Sequence, residues 1–280
     1  MISCLMSPFG GGKTTMIVKT APKRPIHMLD IDRKVSNMVE FKPYLDKGEL
    51  TVWELSDTLN EDRLGGRMTA LLESAKALMP PKGWTNFCKY CDKLDNDPIA
   101  KEAGTLAIDS YTVLALHMKT HMQFLSGKSK LVWDAWSAWG QMWKETTSIL
   151  IDYANQNGKD LIVTLHERVS EKPGDKTKSV IIKRDEKGQQ QKDYTGQMDI
   201  KIAGSIEGQF GIDFGAMFTD VYALRVDVNE NTGIPKWVCR VHPDGRRDLR
   251  CSAKQQFDVN HNLVSEFEPD YGKIFGGIRK

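Results

Sequence analysis

The sequence predicts an α/β protein whose mostly parallel central sheet is flanked by helices and continued by an antiparallel C-terminal extension. Up to residue 165, short apolar runs alternate with helix-length patterns, as they do when parallel strands are joined by helical crossovers. Beyond it the runs alternate more and are separated by Gly, Asn, Asp and Pro, the pattern of antiparallel strands and tight turns. Between the first apolar run and the first helical pattern stand three glycines followed by Lys-Thr-Thr.

The elements follow in order. "ISCLM" (2–6), "IHMLDI" (26–31), "LTVWEL" (50–55), "TLAID" (105–109) and "DLIVTL" (160–165) are short and rich in β-branched or bulky residues, as buried parallel strands are. Helices are expected near 13–20, 60–78, 111–124 and 134–156. "SVIIKR", "AMFTDVYALRVDV", "KWVCRVH" and "RDLRCS" read as the antiparallel edge. Residues 80–104 are expected to be a surface insertion and 170–200 a mobile loop or hairpin. A single domain over 1–280 accommodates all of this.

Composition narrows the function. The 39 Lys and Arg against 37 Asp and Glu leave a net charge of only +2, so any nucleic-acid surface must be local. No apolar stretch approaches the ~20 residues that span a bilayer, and five scattered cysteines fit a reducing compartment better than a disulfide framework. The expectation is a cytoplasmic protein with no membrane partner.

The stretch "SPFGGGKTT" carries the chemistry. It follows a strand and opens a helix, the context a phosphate-binding loop requires. Backbone N–H groups of Gly10, Gly11 and Gly12 can turn inward on an anion, and the helix N-terminus adds partial positive charge. Ser7 stands where the common GxxxxGK[ST] pattern has its first glycine; Pro8 and Phe9 complete the loop. Lys13 would reach the β- and γ-phosphates of ATP, Thr14 would place its hydroxyl on Mg²⁺, and Thr15 lies next to it.

Such a loop needs an acid at the end of a neighbouring strand to hold Mg²⁺. Asp109 ends "TLAID", about 95 residues downstream; its other possible role is a cap on the following helix. "HMLDIDRK" offers Asp30 and Asp32, and Asp32 at the tip is the choice for the general base, with a cap or an ion pair as the alternative. "LIVTLHER" ends in His166 and Glu167, where a polar residue could sense the γ-phosphate. Trp133, Trp136, Trp139 and Trp143 share one helical face, which suits a core stripe or a base-stacking platform. Cys88 and Cys91 have half the spacing of a zinc site, which Cys239 and His242 could complete only if the fold brought them together.

Read together, "SPFGGGKTT", "HMLDIDRK", "TLAIDSYT", "LIVTLHERV" and the late "GSIEGQFGIDFGAMFTDVYAL" and "WVCRVHPDGRRDLRCSA" make the chain resemble the phage-encoded RecA-core P-loop ATPases. That family includes single-strand annealing proteins. The resemblance implies a RecA-like fold, Mg²⁺-dependent and DNA-stimulated ATP hydrolysis, and action on single-stranded DNA in phage recombination or replication. Asp32, Lys13 and Glu167 would be catalytic. It further implies a homo-oligomeric ring or short filament in the bacterial host cytoplasm, with a phage or host single-strand binding protein as a further partner.

RecA-core proteins bind DNA through loops at the nucleotide end of the sheet. By that likeness the segment 170–201, eight basic residues against six acids, is one candidate, with Lys178, Lys183, Arg184 and Lys187. Arg246 and Arg247, with Arg240 and Arg250, form another. Two other functions compete: a small-molecule phosphotransferase, and a nucleotide-gated scaffold or helicase-loading protein with little turnover.

Overall fold

The computed structural model describes residues 1–8, 10–55, 82–127, 131, 133–173, 181–184, 190–193, 198–204, 214–228, 232–243, 249–252, 256, 258 and 260–275. The helix expected at 60–78 lies outside them, as do Phe9, Lys178, Lys187, Arg246 and Arg247.

The five expected parallel strands are β1 (Ile2–Ser7), β2 (Ile26–Asp30), β3 (Leu50–Glu54), β4 (Thr105–Asp109) and β5 (Asp160–Pro173). Their connections include α1 (Lys13–Thr20), α2 (Lys42–Asp46), α3 (Lys82–Cys91), α4 (Pro98–Glu102), α5 (Tyr111–Ser126) and α6 (Trp133–Gln156). After β5 come β6 (Ile181–Arg184), β7 (Gln190–Asp193), β8 (Met198–Gly204), β9 (Asp220–Val228), β10 (Pro235–Arg240), β11 (Glu266–Phe267) and α7 (Tyr271–Ile274).

The main sheet runs β11-β10-β9-β1-β5-β4-β2-β3. β5 lies between β1 and β4, so the strand carrying the glycine loop and the strand ending in Asp109 are separated by one strand. With helices over both faces and antiparallel strands at the C-terminal edge, this is the mostly parallel α/β architecture the sequence led one to expect. Alternation along β1 builds both cores: Ile2, Cys4 and Met6 join the cluster under α3, α5 and α6, while Leu5 faces Met16, Ile17 and Val18 nearer α1.

Register sets the site. Parallel pairing puts Asp30 beside Asp109 and Ser7 beside His166, so the candidate residues meet at the carboxyl edge of adjacent strands, the usual ligand-binding edge of an open α/β sheet.

Two expectations are corrected. β9 runs parallel to β1, Leu5 opposite Tyr222, and along this edge of the main sheet the pairing becomes antiparallel between β9 and β10. The reason is legible in retrospect: Asp220–Leu224 is a continuously buried run, and the in-out alternation begins only at Arg225. Residues 82–103 are also no surface insertion, because Trp84, Phe87, Tyr90, Leu94 and Ala100 are buried in the core beside α5. These apolar residues recur at helical spacing on α3, and the Pro and Gly around them obscured that periodicity.

Candidate nucleotide site

The glycine loop is shaped by its missing side chains. Gly10 and Gly12 adopt φ of +74° and +83°, left-handed values that glycine takes without strain. At Gly11 a Cβ would fall 2.3 Å from Ser7 Oγ and 2.6 Å from Ser7 Cβ. The serine in place of the usual first glycine is therefore accommodated by the absence of a side chain at Gly11. Gly12 then caps α1, its carbonyl accepting the Met16 N–H at 2.9 Å.

Lys13 is buried and folds back onto its own loop. Its Nζ donates to the Ser7 carbonyl at 3.1 Å, Ser7 Oγ at 2.8 Å and the Pro8 carbonyl at 3.2 Å. Burial pulls its pKa down to about 8; Asp109 opposes that and the like charge of Lys34 adds to it. Thr14 Oγ1 donates to Asp109 Oδ2 at 2.5 Å, and Thr164 Oγ1 to Asp109 Oδ1 at 2.5 Å. The helix cap is Ser110, whose Oγ accepts from Val113 N–H, so the capping role considered for Asp109 falls to its neighbour.

Two acids at the end of β2 sit in opposite environments. Asp30 is fully buried and its Oδ2 accepts the Val35 N–H at 2.6 Å; burial raises its pKa to about 6 against that hydrogen bond. Asp32 is partly exposed, its side chain 12% accessible. Burial alone would raise its pKa, but hydrogen bonds from Lys34 and Ser110, the charge of Lys34 and the neighbouring His166 imidazole hold its carboxyl well below the usual carboxylate range. Lys34 Nζ lies 2.8 Å from Asp32 Oδ2 and 3.9 Å from Asp109 Oδ2.

His166 stands between the two charged groups, Nδ1 3.4 Å from Lys13 Nζ and Nε2 3.9 Å from Asp32 Oδ2. Its backbone N–H donates to Thr112 Oγ1 at 2.9 Å, fixing the strand end to α5. Glu167, next along β5, falls on the opposite face of the strand from His166, and its charge acts on Lys13.

A cavity of about 700 Å³ opens over this cluster, lined by the glycine loop, Thr15, Lys19, Lys34, Met38, Glu40, His166, Trp237 and Pro269. At its far side Glu40 accepts from Thr15 Oγ1 and pairs with Lys19, each at 3.4 Å. The Thr14 hydroxyl and the Asp109 carboxylate present hard oxygen donors side by side, a set that suits Mg²⁺ with its retained waters.

Residues the sequence reading passed over are Lys34, Ser110, Thr112, Thr164 and Trp237. Thr164 could have been found two positions before His166, on the same face of its strand. Trp237 had no local signal, since only the pairing of β10 with β9 brings it beside Gly12.

Other candidates are dispersed. Trp139 and Trp143 are buried, and Trp136 packs edge-on against Trp139, so this part of the stripe is core rather than a base platform. Cys88 and Cys91 pack on one face of the sheet and Cys239 on the other, so the fold does not complete a zinc site. Arg240 donates through Nε to Glu266 Oε1 at 3.0 Å within the chain. Among the described residues no helix is long and apolar enough to cross a membrane.

Strand order, loop and acids together define an open α/β sheet with a glycine loop and a pair of acids at its carboxyl edge. The chain is similar to a KaiC-like protein from Pyrococcus horikoshii OT3, at TM-score 0.38 and 16% identity over 95% of this chain and 88% of that one. It is also similar to the flagellar accessory protein FlaH from Methanocaldococcus jannaschii, at TM-score 0.37 and 10% identity over 85% of this chain and 76% of that one. No family model and no curated protein matches the sequence.

Proposed function

We propose that the protein binds ATP with Mg²⁺ and hydrolyses it, as part of an assembly acting on single-stranded DNA. The observation that carries the enzymatic half is the convergence of Lys13, Thr14, Asp109, Asp32 and His166 at the carboxyl edge of the sheet, where Lys13, Thr14 and His166 line the cavity and the two carboxylates bond or pair with them.

Each group has a task there. The loop N–H groups and the α1 N-terminus take the phosphates. Lys13 exchanges its carbonyl contacts on Ser7 and Pro8 for phosphate oxygens, charge-assisted bonds that are stronger than those it gives up. Thr14 and Asp109 would hold Mg²⁺, which when bound offsets the charge gathering on the β- and γ-phosphate oxygens. Asp32 is the partly exposed carboxylate, beside Lys34 and His166, which line the cavity. Held well below the usual range, it stays ionised at neutral pH and orients an attacking water as an acceptor; as a proton acceptor it is weak. Asp30 is better matched in basicity but is enclosed and bonded to Val35, so geometry selects Asp32.

The DNA half rests on the resemblance and on β5. That strand carries Thr164 and His166 at the site and runs on unbroken to Pro173, pairing with β8 so that Ser170 lies opposite Lys201. The basic segment 170–201 is thus continuous with the strand end that contacts Lys13 and Asp32. A strand held in that segment could shift His166 directly, which is the basis for DNA-stimulated turnover in phage recombination or replication. A ring or short filament working with a single-strand binding protein belongs to the same reading.

The test is ATP hydrolysis with Mg²⁺, with and without a single-stranded oligonucleotide. The reading requires turnover that Lys13→Ala abolishes and that the oligonucleotide accelerates. Turnover indifferent to DNA would remove the DNA half, and binding without turnover would leave a nucleotide-gated scaffold.

A further inference from the structure

We infer that Trp237 is the platform on which the nucleotide base stacks, and that it biases the site towards purine nucleotides. The inference rests on the nucleotide-binding reading of the same cavity and assigns the part of it that the phosphates do not fill.

A triphosphate seated on Gly10–Thr14 occupies one end of the cavity. The remainder extends along α1 past Thr15 and Lys19, with Met38 and Glu40 on one wall and Trp237 and Pro269 on the other. Trp237 arrives from β10, two strands from the loop strand, through the pairing of Trp237 with Val226 and of β9 with β1. Its indole lies close against the loop backbone, with Cδ1 only 3.1 Å from where a Cβ on Gly12 would stand. Glycine at that position is what lets a large ring approach the phosphate loop.

Three features separate this indole from a core aromatic. It is 44% exposed while lining the cavity. Among the described residues no other ring stacks on it, whereas Trp53 stacks on Tyr90 and Trp139 on Trp143. It also stands on an edge segment of β10 with no structural load comparable to that of the buried tryptophans. A flat apolar surface opening beside a phosphate cradle suits a planar heteroaromatic base, and a purine covers more of an indole than a pyrimidine does.

Calorimetric titration of the whole chain with Mg²⁺ and one of three ligands tests this: a non-hydrolysable ATP analogue, its cytidine counterpart, and inorganic tripolyphosphate, which has no base. Trp237→Leu keeps apolar bulk against Gly12, Trp237→Phe keeps an aromatic face, and Trp237→Ala removes both; thermal unfolding checks that each variant folds. Expected are a loss of about tenfold in affinity for the ATP analogue in the Leu and Ala variants, a loss within about threefold in the Phe variant, and tripolyphosphate affinity unchanged throughout. The preference for the ATP analogue over the cytidine one should shrink in the Leu and Ala variants. Equal weakening of the ATP analogue and tripolyphosphate would overturn the inference, because Trp237 would then only shape the loop. Unchanged ATP-analogue affinity in the Leu and Ala variants would overturn it and leave the phosphate site standing. Failure of wild type to bind tripolyphosphate or the ATP analogue would instead overturn the phosphate site itself.

Discussion

Thr14 Oγ1 donates to Asp109 Oδ2 at 2.5 Å, joining the first turn of α1 to the end of β4 across the intervening β5. Thr164 on β5 donates to the other oxygen of the same carboxylate, so Asp109 is held by two hydroxyls and aimed at the loop. Asp109→Asn keeps the shape but lowers the negative charge available to a cation. The Mg²⁺ concentration for half-maximal ATP hydrolysis should rise about tenfold, with Thr14→Ala giving a similar rise and the double variant less than the product. A Mg²⁺ titration of turnover checks this; an unchanged requirement in Asp109→Asn would remove Asp109 from the metal site.

Asp32 and Asp30 should separate cleanly. Asp32→Asn should still bind ATP while hydrolysis falls by roughly 10²–10⁴-fold, the range that loss of a positioned acid–base group produces. Asp30→Asn can still accept the Val35 N–H and should keep turnover within about threefold. Single-turnover hydrolysis with bound ATP measured separately distinguishes them, and the reverse ranking would transfer the water-orienting role to Asp30.

The depressed pKa of Lys13 makes stability depend on pH in a definite direction. Folding lowers it from 10.5 to about 8, so between those values the unfolded chain holds a proton that the folded chain has released. Stability therefore rises with pH across that window, and the cost of burying the ammonium is fully present below pH 8. Without nucleotide, Lys13→Met should be the more stable protein at pH 7, the removed cost of holding the ammonium charged being on the order of 3 kcal/mol. The difference from wild type should narrow between pH 8 and 10.5. Denaturant midpoints at several pH values read it, and a constant difference would contradict a buried charged lysine.

Gly11 and Ser7 should behave as a coupled pair. Gly11→Ala sets a methyl 2.3 Å from Ser7 Oγ, which forces the loop apart and should weaken nucleotide binding by tenfold or more. Ser7→Gly removes the obstructing side chain, so Ser7→Gly with Gly11→Ala should recover most of that loss. Titration of the four proteins with an ATP analogue completes the cycle; additive losses would show that the two positions do not meet.

The parts written locally were the parts the sequence revealed. A continuous apolar run ending in Asp, or three glycines before Lys-Thr-Thr, carries its meaning within a few residues, so β1, β4, α1 and the loop could be placed by inspection. Asp32 was legible as a strand-end acid in the same way, but its low pKa was not, because beside the nearby Lys34 it depends on Ser110 and His166 from other strand ends. β9 was misjudged because the alternation of its second half outweighed the buried run of its first. Trp237 was invisible because its relation to Gly12 is created by two strand pairings and by no spacing in the chain.

The last expectation concerns the basic segment beyond β5. If its side chains follow the phosphates of a single strand, affinity should fall with salt at a log–log slope of about −0.7 for each phosphate neutralised, so four contacts give a slope near −3. Lys183 and Arg184 lie on β6, paired with Gln191 and Gln190 on β7. Replacing Lys183, Arg184 and Lys187 by Ala should make the slope shallower by roughly 0.7–2.1, one to three contacts, while ATP binding is unchanged. The measurement is a fluorescence titration of a labelled polypyrimidine strand at several salt concentrations with a non-hydrolysable ATP analogue present. An unaltered slope would exclude this segment and direct the search to Arg246, Arg247 and Arg250, since Arg240 is already paired with Glu266.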